Sequence, residues 1–224
     1  MIISNDYKFL FIANPKTGSR TAADILTPYG VLVGEHSTSN IAICKARIIN
    51  PNFNNSQLEK IYVFWRDPVE RFISTVNFLR SNAVGFLIKH RPEWFPGIDL
   101  SMYDKCPLPI GVRPTRINVD ELSPEIFAAA ALITPEQIFS DPQLVQWCGL
   151  LRRQSNWITK SETVLDFANF DVNMRIVMDS FGVPIDAVIP TRNVSQKITT
   201  VLSPELEAAV RAYYAEDYRL KPLS

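Results

Sequence analysis

The apolar positions of this chain fall into short continuous runs separated by stretches of helical spacing. Tyr7 to Ala13 (YKFLFIA) and Ile61 to Trp65 (IYVFW) are apolar and aromatic runs with polar borders, the pattern of buried strands. Thr163 to Phe167 (TVLDF) predicts a third strand and Val31 to Val33 a shorter one. Both clear strands lead into helices. Asn14 and Pro15 end the first, and Ser19 to Leu26 has helix-forming composition. After the second, Asp67 suits an N-cap and Pro68 the first helical position, with Phe72, Thr75, Val76 and Leu79 forming an inner stripe. Strand, loop and helix repeated in this way predict an α/β fold built on a parallel sheet.

Further helices are expected over His36 to Ile49, with Ile41, Cys44 and Ile48 on one face and Ser37 or Ser39 as cap. Others are expected from Pro124 to Leu132, from about Asp141 to Arg152, from Asp171 to Phe181 before Gly182, and from Pro204 to Tyr214 with Ser203 as cap. The stretch from about Ser81 to Asp120 breaks the pattern with Pro92, Pro96, Pro107, Pro109 and Pro114 among Trp94, Phe95 and Tyr103. Aromatic side chains favour burial, so it reads as an insertion packed over the site inside a single domain spanning 1–224.

Composition narrows the chemistry. Lysine plus arginine and aspartate plus glutamate both number 23, which argues against a general nucleic-acid or membrane-surface binder and leaves room for a local basic pocket. The three cysteines, Cys44, Cys106 and Cys148, are far apart and form no zinc or disulfide framework, so reduced thiols in a cytoplasmic protein are expected. With only two histidines, a multi-histidine metal centre is not expected. The first residues lack the basic start and apolar core of a signal peptide, and no apolar run reaches the roughly 18–20 residues of a membrane helix.

Between the first strand and its helix lies Asn14-Pro15-Lys16-Thr17-Gly18-Ser19-Arg20-Thr21. A strand feeding a tight loop and a helix N-terminus presents backbone N–H groups to an anion. Lys16 adds a mobile charge, Ser19 and Thr21 add hydroxyl donors, and Arg20 can make a bidentate contact. The lysine precedes Gly18 by two positions instead of following a glycine, so the Walker pattern of ATP and GTP loops is absent.

Pro15 to Thr21 resembles the 5′-phosphosulfate loop of sulfotransferases that use 3′-phosphoadenosine 5′-phosphosulfate (PAPS), with Arg20 where many members carry threonine. Arg66-Asp67-Pro68-Val69-Glu70-Arg71-Phe72-Ile73-Ser74 resembles that family's 3′-phosphate motif. There Arg66 would fork two phosphate oxygens and Ser74 would donate a hydroxyl, while Arg71 is read as a structural partner of Asp67 one helical turn away. The resemblance implies a three-layer sandwich around a central, mainly parallel sheet, like P-loop nucleotide hydrolases. It also implies a sulfuryl transfer from PAPS to a hydroxyl or amine, with a carbohydrate favoured as acceptor and 3′-phosphoadenosine 5′-phosphate as product. The cofactor-binding set is then Lys16, Thr17, Gly18, Ser19, Arg20, Thr21, Arg66 and Ser74, joined by Arg192 and Asn193 from a polar loop similar to one in carbohydrate-type members.

Lys16 is expected to stabilise the leaving oxygen, and the chemistry requires no metal. His36 is the candidate general base, with Glu35 as the alternative or as its orienting group. Lys89, Arg91 and Arg113 are candidates to meet an anionic acceptor, or else solvated surface charges. A P-loop-like nucleotide kinase or other phosphotransferase, and a non-catalytic nucleotide-binding relative, are the competing readings.

Overall fold

The structure, a computed structural model, describes residues 1–34, 38–100, 122–158, 162–190 and 200–222. It divides into two compact units, one comprising Met1–Arg71, Arg152–Val194 and Ala209–Ser224, the other Phe72–Leu151 and Ser195–Ala208.

The first unit is built on five strands: β1 (Ile2–Ser4), β2 (Phe9–Ile12), β3 (Gly30–Leu32), β4 (Lys60–Trp65) and β5 (Thr163–Asp166). They lie in the order β3-β1-β2-β4-β5. β2 pairs with β4 and β4 with β5 in parallel, whereas β1 pairs antiparallel with both β2 and β3. The sheet is therefore mixed, which corrects the expectation of a mainly parallel one. The cause is β1, the one described strand running against the rest. It is tied back to β2 by a turn in which Tyr7 takes a left-handed φ of 61° and Ser4 Oγ donates to Asp6 Oδ1 at 2.6 Å. Three residues carry too little periodicity to announce a strand.

Alternation along the strands sends side chains to two cores. Ile2, Phe11, Tyr62, Phe64 and Leu165 pack with Ala22, Ile25 and Leu26 of α1 (Ser19–Leu26) and with Met174, Val177 and Met178 of α8 (Phe170–Ser180). Ile3, Leu10, Ile12, Val63 and Trp65 pack with Ala42 and Ala46 of α2 (Ser39–Ile49), together with Phe53 and Ile158. Helices thus cover both faces of the sheet, as an α/β sandwich requires. In α2 the apolar face read from helical spacing points outward: Ile48 is 80% exposed, and Ile41 and Cys44 are exposed too. Alanines let the helix backbone come close to the sheet, and the larger isoleucines take the outer face.

The second unit contains most of α3 (Pro68–Ser81), then α4 (Val84–His90), α5 (Pro124–Leu132), α6 (Pro135–Ser140) and α7 (Pro142–Trp147). The single helix expected over 141–152 is interrupted. Asp141 adopts an extended conformation and caps α7 by accepting from Gln143 N and Leu144 N, and Cys148 is extended at the other end. α6 begins at a capping box formed by Thr134 and Gln137. Phe95 of the proline-rich stretch is buried, and residues 101–121 of that stretch lie outside the described residues. Among the described residues, no helix is long and apolar enough to cross a membrane.

Candidate anion-binding site

The carboxyl ends of parallel strands are where an α/β sheet opens a crevice for ligands. Here β2 and β4 lie side by side in the register Ile12 to Val63, so the segments that follow them emerge together. Beyond β2, Asn14 is fully buried and its Nδ2 donates to Phe64 O and to Gln154 Oε1, both at 2.9 Å. Thr17 Oγ1 donates to Asn14 O at 2.8 Å, which closes the loop on itself.

Lys16 and Gly18 are both left-handed, with φ of 64° and 71°, and they flank Thr17. Alternation of this kind turns successive N–H groups toward one side and forms an anion-binding concavity. α1 then starts at Gly18 with no side-chain cap and no acidic residue in its first turn, so its amide ends have no built-in acceptor from either source. Gly18 is required twice over. Its φ disfavours any side chain, and a Cβ there would come within 2.6 Å of Phe170 Cε2 and 3.0 Å of Phe167 Cε2.

Arg66, one residue beyond β4, turns toward this loop. Its Nη1 donates to Lys16 O at 3.3 Å, and its guanidinium lies 4.9 Å from the centre of the Phe167 ring. The nearest counter-charge is Glu70, whose Oε2 is 3.5 Å from Nε on a largely exposed side chain. Burial lowers the Arg66 pKa, and Glu70 only partly offsets it. Burial, followed by repulsion from Arg66, pulls Lys16 down to about 8. Two cations brought together in a partly desolvated place, with one exposed carboxylate against Arg66, form a site where an anion relieves the repulsion.

Beside the loop opens a cleft of about 710 Å³, lined by Gly18 and Thr21 on one side and by Phe167, Phe170, Val188 and Ile189 among others. Arg175 holds one wall by donating from Nη1 to Ile185 O at 3.0 Å and Ala187 O at 2.6 Å. A smaller cleft of about 130 Å³ lies at the ends of β4 and β5, against Trp65, Arg66, Asp67, Glu70, Asp166 and Lys221.

The structure brings Lys16, Thr17, Gly18, Thr21 and Arg66 into one place, although the Thr17 hydroxyl faces inward and leaves only its backbone for a ligand. Ser19 is half-buried at the helix start, and Arg20 is exposed. Ser74 lies half-buried on α3, in the second unit. Glu35, His36, Arg192, Asn193 and Arg113 lie outside the described residues. Lys89 is exposed, whereas Arg91 is engaged by Asp141, with its Nη2 donating to Oδ1 at 2.5 Å and its Nε to Oδ2.

Asp67 caps α3 as expected by accepting from Val69 N at 2.9 Å and Glu70 N at 3.2 Å. The expected partner of Arg71 is corrected. Arg71 is fully buried, donates to Arg152 O at 2.5 Å, and faces Asp217 of the short helix Ala215–Tyr218 at 3.9 Å. Asp67 is engaged at the helix start, and the i,i+4 ion pair of this turn is Arg66 with Glu70. Gln154, Asp217, Phe167 and Phe170 also support this place, from segments whose local pattern carries no site signal. No protein-family model, curated protein or solved structure matches this chain.

Proposed function

We propose that the chain is a PAPS-dependent sulfotransferase. The observation that supports this reading most is the meeting of Lys16 and Arg66 at the ends of neighbouring parallel strands, beside a glycine-dependent loop and an uncapped helix start. Two adjacent cationic groups carried on different segments suit a nucleotide with phosphates at two positions. Lys16 and the loop amides would hold the 5′-phosphosulfate, and Arg66 the 3′-phosphate; Ser74 is the sequence-based candidate for a second donor. The aromatic-walled cleft beside Gly18 and Thr21 is the place for the nucleoside base.

In the transfer, the acceptor oxygen attacks sulfur, the bond from sulfur to the bridging 5′-phosphate oxygen breaks, and the acceptor proton passes to a base. The products are a sulfate ester and 3′-phosphoadenosine 5′-phosphate. The Lys16 ammonium offsets charge growing on the leaving oxygen. His36 or Glu35 is the sequence-based candidate for the base, and a carbohydrate hydroxyl the favoured acceptor.

Thermal shifts test the reading directly. 3′-Phosphoadenosine 5′-phosphate should raise Tm more than ATP with magnesium, and Arg66→Ala should remove that gain. A preference for ATP with magnesium would instead indicate a phosphotransferase. Transfer of labelled sulfate from PAPS to a panel of glycans would then identify the acceptor class.

A further inference from the structure

One fully buried side chain bonds to residues just beyond both strands of the site. Gln154 opens a short 3-10 turn, Gln154–Asn156, and is completely enclosed. A primary amide has two acceptor positions and two donor hydrogens. Gln154 Oε1 accepts from Asn14 Nδ2 at 2.9 Å and from Arg66 N at 3.0 Å, while Nε2 donates to Arg66 O at 2.7 Å. Its own backbone N donates to Asp217 Oδ2 at 2.8 Å, and Asp217 Oδ1 accepts from Ser155 N at 2.9 Å, so the turn that presents the amide is itself anchored.

Arg66 has left the sheet, and its N–H and C=O would otherwise need partners of their own. The amide supplies both, as a neighbouring strand would, and fixes the backbone on either side of the Arg66 Cα. The same oxygen holds Asn14, from which the Lys16 loop departs. On the nucleotide reading above, we infer that Gln154 is a positioning residue that sets Arg66 in register with the phosphate loop, so that the grips on the two ends of the nucleotide act as one. An amide is required for this. Methionine fills similar space and bonds to none of the three groups, and glutamate keeps the acceptors and loses the donor.

The test is calorimetric titration of the full chain with adenosine 3′,5′-bisphosphate and with adenosine 5′-monophosphate. The wild-type chain should prefer the bisphosphate by at least about tenfold, equivalent to ~1.4 kcal/mol. Gln154→Met and Gln154→Glu should lose most of that preference while monophosphate affinity changes by less than about threefold, a split that simple destabilisation does not produce. Val177→Ala, a core change with no part in these bonds, should lower Tm and leave the preference intact. Retention of the wild-type preference in the Gln154 variants overturns the positioning role and leaves the nucleotide reading standing. Absence of any preference in the wild-type chain overturns that reading and the inference with it. Should the variants fail to fold, the Gln154 side-chain amide signals of labelled wild-type protein decide. They should shift on adding the bisphosphate and not the monophosphate, and signals unmoved by bound bisphosphate overturn the inference.

Discussion

Arg66 and Arg71 stand five positions apart, and the surroundings of the two guanidiniums differ in nearly every respect. Arg71 is 1% exposed, faces the fully buried Asp217 carboxylate, donates to Arg152 O and lies 5.2 Å from the centre of the Tyr214 ring. Arg66 is 22% exposed, has a largely exposed carboxylate as its counter-charge and sits against a second cation. A buried charge matched by protein groups holds a fold together. One left beside a like charge at the mouth of a sheet is shaped for something from outside. Arg71 is thereby set apart as structural, and Arg66 as the arginine of the proposed ligand site, on grounds that spacing alone does not supply.

The largest expected effect comes from removing the matched charge. Arg71→Ala leaves Asp217 buried without its cation and should destabilise the chain by roughly 3–5 kcal/mol, read from denaturant unfolding. Gly18→Ala should follow at about 2–4 kcal/mol, from a left-handed φ combined with crowding against Phe170 and Phe167. A measured change below about 0.5 kcal/mol would mean that the loop has another conformation. Arg66→Ala should leave Tm within a degree or two of wild type and weaken adenosine 3′,5′-bisphosphate binding by about 1.5–3 kcal/mol, the range for hydrogen bonds to charged groups. A variant that unfolds instead would erase the distinction between the two arginines.

The smallest effect is that of pH on Lys16. Its value of about 8 in the folded chain lies below the ordinary lysine value, so the unfolded chain binds more protons in the interval between them. The empty protein should therefore gain stability as pH rises through that interval, whereas anion affinity should fall as the ammonium loses its proton. Lys16→Met should flatten both trends, checked by paired melting and titration series from pH 7 to about 10.

Much of this site was legible in the sequence because it depends on local rules. The β2 run, the polar loop, the α1 composition and the Asp67-Pro68 cap each declare themselves within a few residues, and together they place Lys16 and Arg66 at strand ends. What stayed hidden depends on distant partners. The bond from Asn14 to Gln154 joins residues 140 positions apart, and Asp217 reaches the 154–155 turn across more than 60. The outward turn of α2 was hidden for a related reason. Helical spacing shows that Ile41, Cys44 and Ile48 share a face, but only the close approach of Ala42 and Ala46 to the sheet decides which face goes inside. The antiparallel β1 is too short to show a period at all.

Lys16 occupies a backbone conformation that glycine or asparagine adopts with less strain, and it carries a charge that burial disfavours. A population of variants selected only for survival at high temperature should therefore drift away from lysine at this position, toward glycine or asparagine. Each such survivor would be a sturdier protein with a weaker hold on the proposed anion. On the proposed function, heat resistance and ligand capture are opposed at this one residue, and a selection that preserves function has to demand both together.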